Sequence, residues 1–409
     1  MSKEAVNGGN RPSLAPKSAG GLSEDVLSTD QTLASQEVQS KYSSLSLNKE
    51  LLAGGIENWT GVVAENVDRY GFITGPQPQQ SPTQHSSELA ILLKLHKNLE
   101  TRAVNTLNYG GIVNPQREVK REMKWKKMAT RSVNQQTGVV TFTFKKSPKL
   151  VERAFKGIPD AWRSAAWRSF LTDSARKQIH VQSDQELENL YDHYLETPSA
   201  YDVQIDLDVP RTINSHVMFS ARYAGGQRLL FRVLHALSQH LATTGYVQGM
   251  APLAASLLCY YEEVSCFVML VRLFETRHMT KLYAPGFTGL MTALDELQSY
   301  LQNHKIGEAL EKLEIQPTIY GTKWYLTLFS YAIPFSTQLR IWDVYFLLGE
   351  DGFDVLHAAS LTLLNIIRDK IIDSDFETAM RQLTQFVDVQ NPDLFMKVFE
   401  FELKHLKSV

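Results

Sequence analysis

Leu253 to Phe274 reads LAASLLCYYEEVSCFVMLVRLF and is the longest apolar region of the chain. A helix that spans a bilayer needs about 20 consecutive, mostly apolar residues. Here Glu262, Glu263 and Arg272 interrupt the run, so the stretch reads as buried helix rather than a membrane span. Outward from it, almost everything after Phe155 carries apolar residues at helical period. Helices are predicted near 160–171, 184–194, 223–243, 247–262, 264–276, 288–303, 321–331, 336–348, 353–371, 374–386 and 391–406. Their connectors hold Gly or Pro, as at Pro285-Gly286, Gln316-Pro317 and Ile333-Pro334. No repeat of fixed period is present, which points to an irregular all-α domain and not a solenoid.

The N-terminal part is different. Residues 1–46 are rich in Ser, Gly, Asn and Gln with few aromatics, and are predicted to be a disordered tail. Residues 47–150 read as a smaller helical and extended segment with a linker. Within it, 67–73 looks ordered and a Pro/Gln/Ser linker runs through Gln84. Ser86 or Ser87 then caps a predicted helix to 107 with Leu89, Leu92, Leu99, Ala103 and Leu107 on one face. A basic stretch follows from Arg117 to Arg131, interleaved with Met123, Trp125 and Met128. It could contact a membrane surface or an acidic partner. The alternative is a solvated helix that packs Trp125 and Met128 on the domain, which a short run in a neutral chain favours. Val139–Phe144 alternates like a strand. Residues 151–372 then form the main domain, and 373–409 supply C-terminal helices packed on it.

The 409 residues are 43% hydrophobic and 21% charged, with a formal net charge of -2. That balance is ordinary for a globular protein and argues against a nucleic-acid partner, which calls for a basic excess. Cys259 and Cys266, the two cysteines, read as reduced core thiols of an intracellular protein. There is no signal-peptide pattern, Ser2 stands where N-myristoylation needs a glycine, and the chain ends without a prenylatable Cys. The expected location is therefore cytoplasmic. Membranes would be reached transiently, through a partner or a surface patch. No P-loop, G-x-S-x-G, H-E-x-x-H or C-x-x-C occurs. His235 and His240 are poorly spaced for a shared metal and read as surface or capping residues. Glu262 and Glu263, adjacent on a helix, do not face each other. Neither a metal, a cofactor of its own nor an autonomous reaction is expected.

Two short segments break the helical pattern. Ile205-Asp206-Leu207-Asp208-Val209-Pro210-Arg211 is I-x-x-D-x-x-R, and Tyr246-Val247-Gln248 is Y-x-Q. Together they lack a nucleophile and a general base, so they do not make an active site. They would complete another protein's site: an Arg neutralises charge on a transferring phosphoryl group, and a Gln holds the attacking water. The pair resembles the two fingers of the TBC family, the Rab GTPase-activating proteins. The surrounding motifs extend the resemblance: Lys156-Gly157-Ile158-Pro159 with Arg163 and Trp167, then Gly226-Gln227-Arg228-Leu229-Leu230. Beyond the fingers come Trp324 to Phe329, Pro334-Phe335 and Leu339-Arg340-Ile341-Trp342-Asp343. The likeness runs from Phe155 to Leu364.

The resemblance implies an irregular all-α, TBC-like domain in two helical halves. It implies stimulation of GTP hydrolysis by a Rab-type small GTPase in its GTP-bound state, in vesicle and membrane traffic, with GTP and Mg²⁺ carried by that partner. Arg211 and Gln248 would be the catalytic pair. Asp208 would aim Arg211, Tyr246 would pack beneath Gln248, and Gly249 would let the backbone approach the GTPase. Val209-Pro210 would hold the Arg loop extended. Arg163, Trp167, Trp342 and Asp343 read as structural motif. Ala251, Asn214 and Phe155 depart from the usual pattern without removing a finger. The alternative is a non-catalytic TBC-like module that holds a GTPase or scaffold. On the catalytic reading, deleting residues 1–150 would spare hydrolysis in solution and Arg211→Ala would abolish it.

Overall fold

Ser147 accepts a hydrogen bond from the Leu150 N–H (3.2 Å) and Pro148 stands in the first turn, so the helical domain starts with a side-chain cap and a residue that needs no donor. The computed structural model describes residues 27–43, 64–73, 115–135, 138–178, 181–302 and 304–407. Ahead of the domain lie α1 (Thr29–Ser43), α2 (Pro115–Lys126) and a hairpin of β1 (Ala129–Val133) and β2 (Val140–Phe144). The strands are antiparallel, with Ala129 opposite Phe144 and Val133 opposite Val140.

A first helical half follows: α3 (Pro148–Phe155), α4 (Asp160–Ala175), α5 (Asp184–Glu196), α6 (Asp202–Asp208) and α7 (Gly225–His240). It continues with α8 (Met250–Leu258), α9 (Glu263–Thr276) and the single turn α10 (Met279–Leu282). The second half comprises α11 (Thr288–Leu301), α12 (Lys305–Lys312), α13 (Pro317–Leu326) and α14 (Phe335–Leu348). It ends with α15 (Asp354–Ile371), α16 (Phe376–Thr384) and α17 (Pro392–Leu406). In the first half α7, α8 and α9 pack on one another, and α9 also lies on α4 and α5. In the second, α15 carries α12, α16 and α17. α14 joins the halves, touching α3 and α4 on one side and α15 and α17 on the other.

The apolar run at 253–274 becomes two core helices, α8 and α9, that break at Cys259 to Glu262. Glu262 is exposed in that break, and the other two charges, Arg272 and Glu263, are paired. Arg272, 2% exposed, meets Asp184 and Glu275 at 3.0 Å each, and Glu263 accepts from the Tyr191 hydroxyl (2.6 Å) and from Arg232. Among the described residues, no helix is long and apolar enough to cross a membrane. The helix expected over 321–331 runs instead from Pro317 to Leu326. Proline starts it, and the left-handed backbone of Leu328 and Phe329 (φ 44° and 67°) ends it.

The expected disordered tail is corrected over part of its length. Thr29–Ser43 is helical because its polar sequence carries Ser35, Val38 and Tyr42 on one buried stripe. The basic stretch is helical only to Lys126, after which Ala129–Val133 pairs as a strand. Trp125 is 2% exposed and Met128 packs against the core, while Lys120, Lys124, Lys126 and Lys127 face outward. The helix expected at 86–107 lies outside the described residues.

Candidate functional site

α6 is two turns long and turns Asp202, Ile205 and Asp208 inward, at the spacing of one helix face. The chain beyond it is not the extended loop expected from Val209-Pro210. Val209–Arg211 continues as a 3-10 turn, because the fixed φ of proline suits the first turn of a helix. Val209 is fully buried and anchors that turn, and the Thr212 hydroxyl closes it on the Asp208 carbonyl (2.8 Å). Arg211 emerges at the end with its side chain 57% exposed.

Gln248 arrives from the loop between α7 and α8. After α7 ends, Gly245 turns left-handed (φ 65°) and its N–H meets the Leu241 carbonyl at 2.6 Å. A Cβ there would overlap the Tyr201 ring, so glycine is required twice over. Tyr246 follows, buried, and then Gln248, exposed. Gly249 sits at the start of α8 with φ 115°, and a Cβ would lie 3.3 Å from the Tyr283 hydroxyl and 3.4 Å from Leu326 Cβ. Its role is thus internal, a left-handed turn packed under the second half. Gly249 is itself buried in the free chain.

Asp208 joins the two segments. Its carboxylate is nearly inaccessible; Oδ1 accepts from Arg211 Nη2, and Oδ2 accepts from the Tyr246 hydroxyl at 2.6 Å. Burial, and after it this carboxylate, push the Tyr246 phenol far above its ordinary value, so it remains a donor. To the expected place of Tyr246 beneath Gln248 the structure adds this bond to Asp208. The second half reaches the same place. Tyr331 is close enough for the Asp208 and Arg211 charges to act on its phenol, which burial chiefly raises, and the Lys323 ammonium lies 5.6 Å from its ring centre. Neither Tyr331 nor Gly245 figured in the sequence reading. Gly245 had a local signal, a glycine in the turn that follows a helical pattern; Tyr331 had none.

Arg163, Trp167, Trp342 and Asp343 lie in the core between the halves. Asp343 is fully buried and accepts from Arg163 Nε (3.0 Å), Trp167 Nε1 (2.9 Å) and the Ile158 N–H (2.9 Å). Burial works to lower the Arg163 pKa, but Asp343 and its neighbours more than reverse this and hold the guanidinium charged. Trp342 donates from Nε1 to the Leu328 carbonyl (3.0 Å), pinning the left-handed turn that ends α13. His235 is also internal, against the surface reading. It lies on the buried face of α7, with Nδ1 2.6 Å from Asp202 Oδ1 and Nε2 2.9 Å from the Tyr194 carbonyl.

Residues 160–372, just over half of the chain, match the sequence model of the Rab-GTPase-TBC domain. The chain belongs to this family. Within the TBC domain so bounded lie Arg211, Gln248, Asp208 and Tyr246, whereas α1, α2 and the hairpin precede it. The chain is 45% identical over 283 residues to a TBC domain-containing protein of Schizosaccharomyces pombe, covering 68% of this chain and 66% of that protein. It is 29% identical to the Rab GTPase-activating protein eat-17 of Caenorhabditis elegans, over 58% of this chain and 26% of that one. It is 26% identical to TBC1 domain family member 10A of mouse, over 89% of this chain and 62% of the relative. The alignments thus span less than two thirds of these relatives. The fold is that of the Chlamydomonas flagellar RabGAP TBC domain (TM-score 0.57, 23% identity, 81% of this chain and 99% of that one). It is likewise that of the Ypt/Rab-GAP domain of Gyp1p (TM-score 0.55, 17% identity, 71% and 98%).

Proposed function

We propose that this chain stimulates GTP hydrolysis by a Rab-type small GTPase, with Arg211 and Gln248 supplied in trans. The observation that carries the reading is the shared carboxylate: an exposed arginine and the loop of an exposed glutamine are tied to one buried Asp208. An arginine held only for surface charge has no need of a second loop on the same anchor.

In the complex the attacking water forms a bond to the γ-phosphorus as the bond to the β,γ-bridging oxygen breaks. Negative charge builds on that oxygen and over the γ-phosphoryl oxygens. The Arg211 guanidinium spreads its donors over this charge, a task that suits its planar fork better than a lysine point charge. The Gln248 carbonyl accepts from the water and its NH₂ donates to a γ-oxygen, fixing the line of attack. The free-state pair with Asp208 keeps Arg211 near its working direction, so less ordering is left to the encounter. The nucleotide and its Mg²⁺ come with the GTPase, and the chain needs no cofactor of its own. We place its action in the cytoplasm and in membrane traffic. The GTPase would bring it to the membrane, and the outward lysines of α2 would offer a peripheral contact.

The deciding experiment is single-turnover GTP hydrolysis by a panel of purified Rab-type GTPases. Stimulation of one or a few members, lost in Arg211→Ala and in Gln248→Ala with the fold intact, is the expected result. GTP-dependent binding without stimulation by the wild type would make the chain a TBC-shaped binding module instead.

A further inference from the structure

The segment that carries Arg211 is gripped on both sides by residues that precede the family-matched span. On one side α1 lies along α6. The Ser35 hydroxyl donates to Asp202 Oδ2 (2.6 Å) and accepts from the Ser199 N–H (3.1 Å). Two turns further along α1, Tyr42 donates to Asp206 Oδ1 (2.7 Å), and its ring lies flat on Phe231 of α7, with centroids 4.0 Å apart and planes 5° apart. On the other side, residues 67–73 pair with the chain just past the arginine. Ile73 N–H donates to the Ser215 carbonyl (2.8 Å), Val217 N–H to the Gly71 carbonyl (2.9 Å), and the buried His216 ring reaches the Tyr70 carbonyl through Nε2 (2.7 Å).

α6 needs such support. A seven-residue helix is marginal on its own, and its direction is set by what it packs against. α1 bonds to Asp202 and Asp206, while the next inward carboxylate along α6, Asp208, is the one that holds Arg211 and Tyr246. Beyond the arginine, Ile213 takes a left-handed conformation (φ 35°), which a β-branched residue adopts only where its surroundings impose it. The backbone pairing with 71–73 lies two residues later.

We infer that α1 and residues 67–73 form a brace that positions the Arg211 segment, with Tyr42 as a positioning residue that acts through the arginine. The inference rests on the finger reading above, and it revises the expectation that removing residues 1–150 spares hydrolysis.

The test uses the full chain. In Tyr42→Ala, hydrogen exchange of the backbone at 202–217 should rise. The maximal stimulated rate should fall roughly tenfold to a hundredfold while KM for the GTPase stays within about twofold, as misplacement of a catalytic group affects the chemical step. Tyr42→Phe keeps the ring stack and should recover part of the loss. In an Arg211→Ala background, Tyr42→Ala should cost nothing further. Unchanged exchange at 202–217 would overturn the brace, as would an equal loss in the Arg211→Ala background or an effect confined to KM. Should Tyr42→Ala fail to fold, Tyr42→Phe and Ser35→Ala carry the same comparison. A wild type that stimulates no GTPase would sink the function proposed above, and the exchange measurement would still decide the brace.

Discussion

The Tyr246 hydroxyl donates to Asp208 Oδ2 at 2.6 Å while Arg211 occupies Oδ1, so a single buried carboxylate sets the relation between the two loops that offer Arg211 and Gln248. Bonds to a charged acceptor are the strong ones, and this one is closed to water on the tyrosine side. Asp208→Asn keeps the shape and an acceptor for Tyr246 but removes the charge that faces Arg211. We expect the maximal stimulated rate to drop roughly tenfold or more, from loss of pre-organisation. Stability should fall by about 1–2 kcal/mol. Stimulated hydrolysis and a denaturant titration measure the two separately; a full rate in Asp208→Asn would remove Asp208 from the finger mechanism.

Arg211 is exposed and its turn is anchored by Val209 and Thr212, so replacing it should preserve the fold, with some loss of stability where the buried Asp208 carboxylate is left without its cation. Arg211→Ala is expected to lower the stimulated rate by about 10³–10⁵, or roughly 4–7 kcal/mol of barrier. Arg211→Lys should restore little, since an ammonium cannot reproduce the guanidinium fork. Rates near wild type for the lysine variant would show that charge alone suffices.

Trp342 should behave in the opposite way. Its ring is fully buried between Trp167 and Phe346, and its Nε1–H holds the Leu328 carbonyl. Trp342→Ala is expected to cost about 3–5 kcal/mol of stability, read from a shift of the urea midpoint. A change below about 1 kcal/mol would mean that α13 and α14 do not depend on this contact.

Glu402, on α17, offers a pH signature of its own. It is almost fully buried on α17, accepts from Asn365 Nδ2 (3.0 Å), and burial raises its pKa from 4.5 to about 7, with the Asn365 bond opposing. The folded state therefore keeps a proton that the unfolded chain has lost between these values. The neutral form costs nothing below pH 4.5, and stability declines as the pH rises from there through 7. A shift of this size corresponds to roughly 3 kcal/mol. Glu402→Gln should thus add about 2–3 kcal/mol at pH 8 and leave stability near pH 4.5 unchanged. Equal unfolding free energies for wild type and variant at pH 8 would rule out the buried proton.

Helical periodicity after Phe155 was legible because each core helix must turn an apolar face inward, and that demand is written in local spacing. The segments that carry Arg211 and Gln248 were legible as motifs rather than by a break in period, since Ile205–Asp208 lies in α6 and runs on into a 3-10 turn. Sequence also separated Arg211 and Gln248, both exposed, from Arg163, Trp167, Trp342 and Asp343, all buried, since a large ring at helical spacing has few places to go but the core. What sequence could not reach was anything that needs two distant segments at once. That Asp208 serves Tyr246 as well as Arg211, that Gly249 is packed under Leu326, and that Ser35 and Tyr42 turn a polar stretch into a docked helix all depend on partners far along the chain. Local spacing determines which residues are free to act. Only the tertiary structure decides what holds them in place, because a hydrogen bond to a distant carboxylate leaves no periodic trace in the sequence.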